Sequence, residues 1–342
     1  MEPFVAVNAR AAARREIGGV ERVARAMAHH LPALRPDRYR VVRPPRALAH
    51  RAGHAWEQLA LPVAARRAAL VYSPANLAPL AGGRRNVVVI HDAAALRHPE
   101  WYSAAYARYQ RAMLPAIARR ARLVVTVSEF SRRELAHALG VAPERVAVVP
   151  NGVDERFSPA ADPGPARAAH GLDRPYALVV GTRIARKNLA ALDAAAHRLR
   201  EAGVDLVVAG SGRGYMRPGE GAAARALGYV DDDLLPGLYA GARALVAPSL
   251  YEGFGLPCLE AMASGVPVVA ADRGALPETC GGAAILVDPG DPEAVAAAAL
   301  AAADDGERRA ALVEAGRARA SGFTWERAAR STDELVERLL GS

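Results

Sequence analysis

Two carboxylates stand eight residues apart around a glycine-rich turn in Glu252-Gly253-Phe254-Gly255-Leu256-Pro257-Cys258-Leu259-Glu260. The run before it, Ala244 to Ser249, reads as a buried strand ending in a loop, and the run after Leu256 reads as a helix. Glu252 is therefore expected in the loop, and Glu260 about one turn inside the helix. Gly253 and Gly255 let the backbone approach a ligand closely. A helix start offers N–H groups to an anion. A carboxylate cannot neutralise phosphate, but it accepts well from sugar hydroxyls. A phosphate-tolerant turn between two hydroxyl acceptors suits a sugar nucleotide. The same letters also fit a plain strand-to-helix turn with two solvated glutamates, and the turn alone does not separate the two.

The chain holds 44 Lys plus Arg, and only Lys187 is lysine. Against that arginine bias, a lone lysine points to a position that needs an ammonium. It sits in Gly181-Thr182-Arg183-Ile184-Ala185-Arg186-Lys187-Asn188, after the apolar run Tyr176 to Val180 and before a helical pattern. Arg supplies a planar fork of donors and Lys a compact point charge. Side by side at a helix mouth they form a diphosphate clamp. As a loop side chain, Lys187 is expected to be exposed.

Further candidates follow the same logic. Gly18-Gly19 ends the loop after the first strand and opens a helix, forming a nest of N–H groups. His91 stands at the carboxyl end of a valine-rich strand, beside Asp92. Three features are set aside. Asp231-Asp232-Asp233 resembles a metal-binding triplet, but acids in a first helical turn favour the helix dipole, so capping is expected. Gly210 to Gly214 lacks the full dinucleotide glycine spacing, which argues against hydride chemistry. Ser128 and Ser211 lack a paired histidine in a nucleophile elbow, which argues against acyl transfer.

The elements that must position these residues alternate. Strand-like runs fall at Phe4–Asn8, Tyr39–Val42, Ala69–Ser73, Asn86–Ile90, Leu123–Val127 and Val146–Val149. A second set falls at Tyr176–Val180, Asp205–Ala209, Ala226–Val230, Ala244–Ala247, Pro267–Ala271 and Ala284–Val287. Continuous apolar runs separated by helical patterns predict parallel strands buried on both faces. Two such sets predict an α/β chain of two Rossmann-like, doubly wound domains, and 342 residues is the length for two. The Pro- and Gly-rich stretch Ser158 to Pro165 predicts the boundary: residues 1–165 and 166–322, with 323–342 as a C-terminal helix that packs back on the first domain. Ligands bind at the carboxyl ends of such strands, where the clamp loop and the Glu252 loop both lie.

With 51% hydrophobic and 23% charged residues the composition is globular. Neither end reads as a targeting segment, and the most apolar helical run, Ala294 to Ala303, is too short to span a bilayer. Cys258 and Cys280 show no metal spacing and read as reduced thiols of a cytoplasmic protein. Residues 1–165 carry 25 Arg against 13 acids, and the remainder is net acidic. The basic half suits an anionic or lipid-linked acceptor and a peripheral contact with the inner face of a membrane. The segment Trp101 to Arg122, with Trp101, Tyr102, Tyr106 and Tyr109 among five arginines, is the expected surface. No nucleic-acid-binding signature is present.

Taken in order along nearly the whole chain, the motifs resemble the GT-B retaining glycosyltransferases of family 4. They are Gly18-Gly19-Val20-Glu21-Arg22, His91-Asp92, Val127 to Arg132, Val149 to Asp154, the clamp loop, Gly228-Tyr229-Val230, and Glu252 to Glu260. The resemblance implies two domains facing across a cleft. It implies transfer of a hexose or deoxyhexose (mannosyl-, rhamnosyl- or glucosyl-like) from a nucleoside diphosphate sugar, with retention and with neither metal nor cofactor. It implies that Arg186 and Lys187 hold the diphosphate, with Gly18 and Gly19 meeting it from the first domain. His91 would lie against the donor sugar, Glu252 would accept from its hydroxyls and Glu260 from the ribose. Phe254, Gly255 and Leu256 would offer N–H groups to sugar and phosphate, and Gly228, Tyr229 and Val230 would line the base. Many members carry arginine directly after the strand glycine; this chain has Thr182, so Arg186 is the expected guanidinium. A sugar-nucleotide epimerase of the same fold and a non-catalytic sugar-nucleotide-binding protein are the alternative readings.

Overall fold

The computed structural model describes residues 4–45, 48, 52–212, 214–219, 221 and 223–341. Met1 to Pro3, read above as leading into the first strand, and Arg213 of the Gly210–Gly214 run lie outside the described residues. The chain forms two compact units. The first holds the described residues up to Arg97, Ala104–Gly152, and Thr324 onward; the second holds His98–Ser103 and Val153–Phe323.

Each unit is built on one six-stranded parallel sheet. In the first, the strands are β1 (Val5–Asn8), β2 (Tyr39–Val42), β3 (Leu70–Ser73), β4 (Asn86–Val89), β5 (Leu123–Thr126) and β6 (Val146–Val148), in the order β2-β1-β3-β4-β5-β6. In the second they are β7 (Tyr176–Val180), β8 (Asp205–Ala209), β9 (Arg225–Gly228), β10 (Leu245–Ala247), β11 (Val268–Ala271) and β12 (Ile285–Val287), in the order β12-β11-β10-β7-β8-β9. Val and Leu fill most of these runs, because side chains buried on both faces need no alternation. All twelve strands stand where the apolar runs predict them, to within a residue or two at their ends.

Both orders reverse direction once. The reversal falls between β1 and β3 in the first sheet and between β7 and β10 in the second. A crevice outside the carboxyl ends opens at such switch points, because the flanking connections leave in opposite directions. Val88, Ile90, Leu114, Ile117 and Leu135 belong to the first unit's core. Leu192, Leu199, Val246, Val269 and Val295 belong to the second's.

The second unit's long segment begins at Val153, ahead of the expected boundary at 165. The Pro-rich stretch (158–165) has no buried residue, but the residues just before it are already tied into the second unit. Val153 N–H donates to Phe323 O (2.9 Å), Phe157 is buried edge-on against Tyr239, and Arg156 pairs with Asp232. The final helix, Trp325–Leu340, belongs to the first unit. Thr324 Oγ1 caps it by accepting from Arg327 N–H. Tyr39 Oη donates to Asp333 (2.7 Å), and Arg38 pairs with Glu337 (2.5 Å). Sequence reasoning gave no sign that His98–Ser103, flanked on both sides by first-unit helices, would join the second unit.

Candidate functional site

In the second unit the clamp loop follows β7 and the Glu252 loop follows β10, so both emerge at the switch point. They meet as one ion cluster. Lys187 Nζ donates to Glu252 Oε1 (2.5 Å) and Arg186 Nη1 lies 3.0 Å from Glu252 Oε2. Ser249 Oγ also donates to Oε1 (2.9 Å). Arg186 Nη1 reaches the Tyr251 carbonyl too (2.8 Å). Burial alone would raise the Glu252 pKa, but the two cations outweigh it and hold the carboxyl down at about 2. Glu252 is therefore an anion at any physiological pH. Lys187 is not the exposed loop side chain expected: its side chain is 12% exposed and folds back over the strand end. Gly181 makes that possible. Its φ is 152°, and a Cβ there would stand 2.7 Å from Lys187 Cε.

The rest of the turn is held from behind. Ala275 N–H donates to Glu252 O (2.9 Å), and Thr279 Oγ1 donates to Phe254 O (2.5 Å). Gly255 takes φ 100° and caps the helix Leu256–Ala263. Phe254 and Leu256 are buried beside it. Val179, Lys187, Ser249, Glu252, Gly255 and Cys258 line a small recess. Cys258 and Cys280 are buried and free, and contact between the thiols together with burial pushes the Cys258 pKa up.

Glu260 is 1% exposed on that helix, and Tyr239 Oη donates to its Oε2 (2.8 Å). Gly228 ends β9, two strands from β7, with Tyr229 and Val230 following. Tyr229 is 37% exposed and Val230 is buried. The acidic triplet does not cap a helix as expected. The next helix starts at Leu235 without a side-chain cap, and Asp232 instead takes Arg156 Nη2 at 2.5 Å. That arginine lies two residues before the Ser158 to Pro165 stretch.

In the first unit His91 follows β4 and is 8% exposed. Its Nε2 lies 2.8 Å from Pro74 O. A carbonyl only accepts, so Nε2 carries the proton. Burial lowers the ring's pKa despite Asp92 and Glu21 nearby, so His91 is neutral with Nδ1 as the acceptor. Asn76 and Ser131 fix its backbone. Asp92 Oδ1 accepts from Ala94 N–H and thereby shapes the loop. Gly18 opens the helix Gly19–Leu34, but its N–H is engaged: it donates to Glu21 Oε2 (3.1 Å), which also pairs with Arg14. Gly19 is exposed, with open space where a side chain would stand. The expected N–H nest thus begins one residue later than the glycine pair suggests.

Sequence reasoning missed one cluster, at the first sheet's own switch point. Glu57, fully buried, accepts from Asn8 Nδ2 (2.7 Å) and lies 3.1 Å from Arg10 Nε. Asn8 Nδ2 also reaches Ser73 Oγ (3.2 Å), tying β1 to β3. Glu57 sits in the helix Gly53–Ala64. A carboxylate at a core-facing helical position was the available signal.

A model described as Glycosyltransferase Family 4 matches residues 17–157, and one described as Glycosyl transferases group 1 matches residues 174–305. The chain is 34% identical over 273 residues to O-antigen chain mannosyltransferase B of Escherichia coli, across 72% of this chain and 69% of that protein. It superposes on sucrose-phosphate synthase from Thermosynechococcus elongatus with a TM-score of 0.77 at 21% identity, over 99% of this chain and 100% of that one. Anabaena Alr3699/HepE, solved in complex with UDP-glucose, gives a TM-score of 0.73 at 20% identity, over 98% of this chain and 100% of that one. On these matches the chain belongs to the family 4, group 1 glycosyltransferases, built on the GT-B fold.

Proposed function

We propose that this glycosyltransferase moves a hexose or deoxyhexose from a nucleoside diphosphate sugar to an acceptor, with retention at the anomeric carbon. The observation that carries the donor is the Arg186–Lys187–Glu252 cluster at the second sheet's switch point. Two cations ordered by one carboxylate keep a net positive charge and a fixed geometry. A diphosphate gains charge as the glycosidic bond breaks, and donors already in place stabilise that charge without reorganising. Glu252 both orders the pair and keeps lone pairs for donor-sugar hydroxyls. Phe254, Gly255 and Leu256 supply backbone to sugar and phosphate. Glu260 serves the ribose and Gly228 to Val230 the base. His91, neutral and accepting through Nδ1, serves a hydroxyl of the donor sugar, and the helix start from Gly19 onward serves the diphosphate.

The mannosyltransferase relative and the UDP-glucose-bound neighbour favour a hexosyl donor. Arg186, Lys187 and the helix-start amides supply the positive field, so the reading includes no metal and no cofactor. The net charge of the first 165 residues favours an anionic or lipid-linked acceptor. Calorimetric titration with UDP, GDP, ADP and dTDP tests the donor assignment. One or two should bind, and Lys187→Ala should weaken that binding. Absence of binding by all four would remove the nucleotide-sugar reading. The anomeric proton coupling of the product tests retention.

A further inference from the structure

The segment His98–Ser103 is a strap on the second unit. It leaves a first-unit helix, Ala94–Arg97, and returns to another, Ala104–Arg120. Between them it pairs antiparallel with the loop after β8. Ser103 N–H donates to Tyr215 O (2.9 Å), Arg217 N–H donates to Trp101 O (2.9 Å), and Tyr102 faces Met216. That loop in turn holds the clamp. Ala185 N–H donates to Arg217 O (3.2 Å), and a Cβ on Gly219 would stand only 2.8 Å from Ile184 O. Strap, loop and clamp thus lie in successive backbone contact.

A second route runs through side chains. His98 and Trp101 stack with centroids 4.0 Å apart and planes 16° apart. Both rings meet the buried Tyr251 edge-on, at 5.4 and 6.3 Å. Tyr251 O receives Arg186 Nη1, and Leu250 N–H donates to Arg186 O (2.8 Å). The two routes enter the clamp from different sides: one fixes its backbone at Ala185, the other its guanidinium.

We infer that Trp101, seconded by His98, is a positioning residue for the Arg186–Lys187 clamp, acting through Arg217 and Tyr251. The inference rests on reading that clamp as the diphosphate site. It assigns no substrate contact to Trp101. Its effect is entropic: a guanidinium held at both its backbone and its side chain loses less freedom when an anion arrives. An arginine on an exchanging loop would lose more.

The test uses the full chain. Hydrogen exchange is read on the ligand-free protein, and UDP, GDP, ADP and dTDP are titrated into wild type, Trp101→Ala, Trp101→Phe and Lys187→Ala. Trp101→Ala should speed exchange at Ala185, Arg217 and Leu250 while β7 and β10 keep wild-type protection. It should weaken the nucleotide that binds by about tenfold, as loss of a supporting contact behind a ligand-binding group does. Trp101→Phe keeps a ring on Tyr251 and should restore both readouts. If Trp101→Ala misfolds, His98→Ala removes the stack from its other side and carries the same test. Wild-type exchange at Ala185 and Leu250 overturns the inference. So does faster exchange with full affinity, which would leave the strap a purely structural tie. If Lys187→Ala binds as tightly as wild type, or none of the four nucleotides binds, the clamp reading itself falls, and the inference with it.

Discussion

Lys187 Nζ lies 2.5 Å from Glu252 Oε1, so the chain's single lysine is bonded to the first carboxylate of the Glu252–Glu260 motif. Read along the sequence, the clamp and the carboxylate look like separate tools. In the fold they are one unit, and perturbing either changes the other.

Lys187→Ala is therefore expected to cut turnover by roughly 10²–10³-fold, the range seen when a charge-stabilising donor is lost. Glu252 would keep Arg186, so the loop should stay folded. Steady-state kinetics with the donor chosen by nucleotide titration, beside a thermal melt, checks this. Near-normal turnover in a well-folded variant would sink the clamp assignment.

The depressed pKa of Glu252 makes stability depend on pH with a defined sign. Burial opposes ionisation, but Arg186 and Lys187 bring the folded pKa to about 2, from an ordinary 4.5. The contribution is fully present above the unfolded value and is lost as pH falls through the folded one. The stability difference between wild type and Glu252→Gln should be flat above about pH 5 and shrink between about 4.5 and 2. Urea unfolding across that range measures it. A difference that grows on acidification would mean the carboxyl is not held by the two cations.

The fold was legible because parallel strands buried on both faces announce themselves as apolar runs, and most of the twelve did, the edge strand β2 with its exposed Arg40 being the weakest. Lys187 was legible as a special position because a lone lysine stands out among arginines. Three things were not. The strap at His98–Ser103 depends on pairing with residues more than a hundred positions away, which local pattern does not encode. The boundary read at Ser158 to Pro165 falls too late, because Arg156 and Phe157 just before it already make second-unit contacts that local composition does not announce. The Arg10–Glu57 pair joins two elements whose register no local rule sets.

That buried pair gives a stability prediction. Glu57 is fully buried and Arg10 is 4% exposed. Glu57→Ala leaves a guanidinium without its carboxylate and should cost about 3–5 kcal/mol. Replacing both, as Arg10→Met with Glu57→Leu, should cost much less, because neither charge is then stranded. Chemical denaturation followed by tryptophan fluorescence reports it, Trp56 lying in the same helix as Glu57. Equal losses in the single and double variants would show that the pair anchors the helix by shape rather than by charge.

Activity should persist in excess chelator. Asp232 of the acidic triplet is bonded to Arg156. Turnover before and after treatment with EDTA decides the matter. Complete loss, restored by magnesium or manganese, would overturn the metal-independent reading.

The basic first unit leads to the last prediction. Trp101 and Tyr102 belong to the strap, so the aromatic surface expected over Trp101 to Arg122 reduces to Tyr106, half-buried, and Tyr109, 37% exposed. Arg108, Arg111, Arg119 and Arg120 are exposed on the same helix. The apolar component stands on another helix, Gly53–Ala64, where Leu59 and Val63 are 75% and 62% exposed. They are one helical turn apart and so share a face. His54 at the start of that helix meets Tyr109 edge-on at 6.2 Å, and Arg66 and Arg67 follow its end. Apolar side chains beside arginines suit the boundary of an anionic bilayer, where the former insert and the latter meet headgroups. Wild type should co-sediment with phosphatidylglycerol vesicles at low salt, less so at raised salt because screening weakens exposed charges, and not with phosphatidylcholine alone. Leu59→Ser with Val63→Ser should weaken binding without lowering the melting temperature, since neither side chain is in the core. Sedimentation unchanged in that double variant would place the contact elsewhere. Absence of binding to phosphatidylglycerol at low salt would leave a soluble anionic acceptor as the reason for the charge.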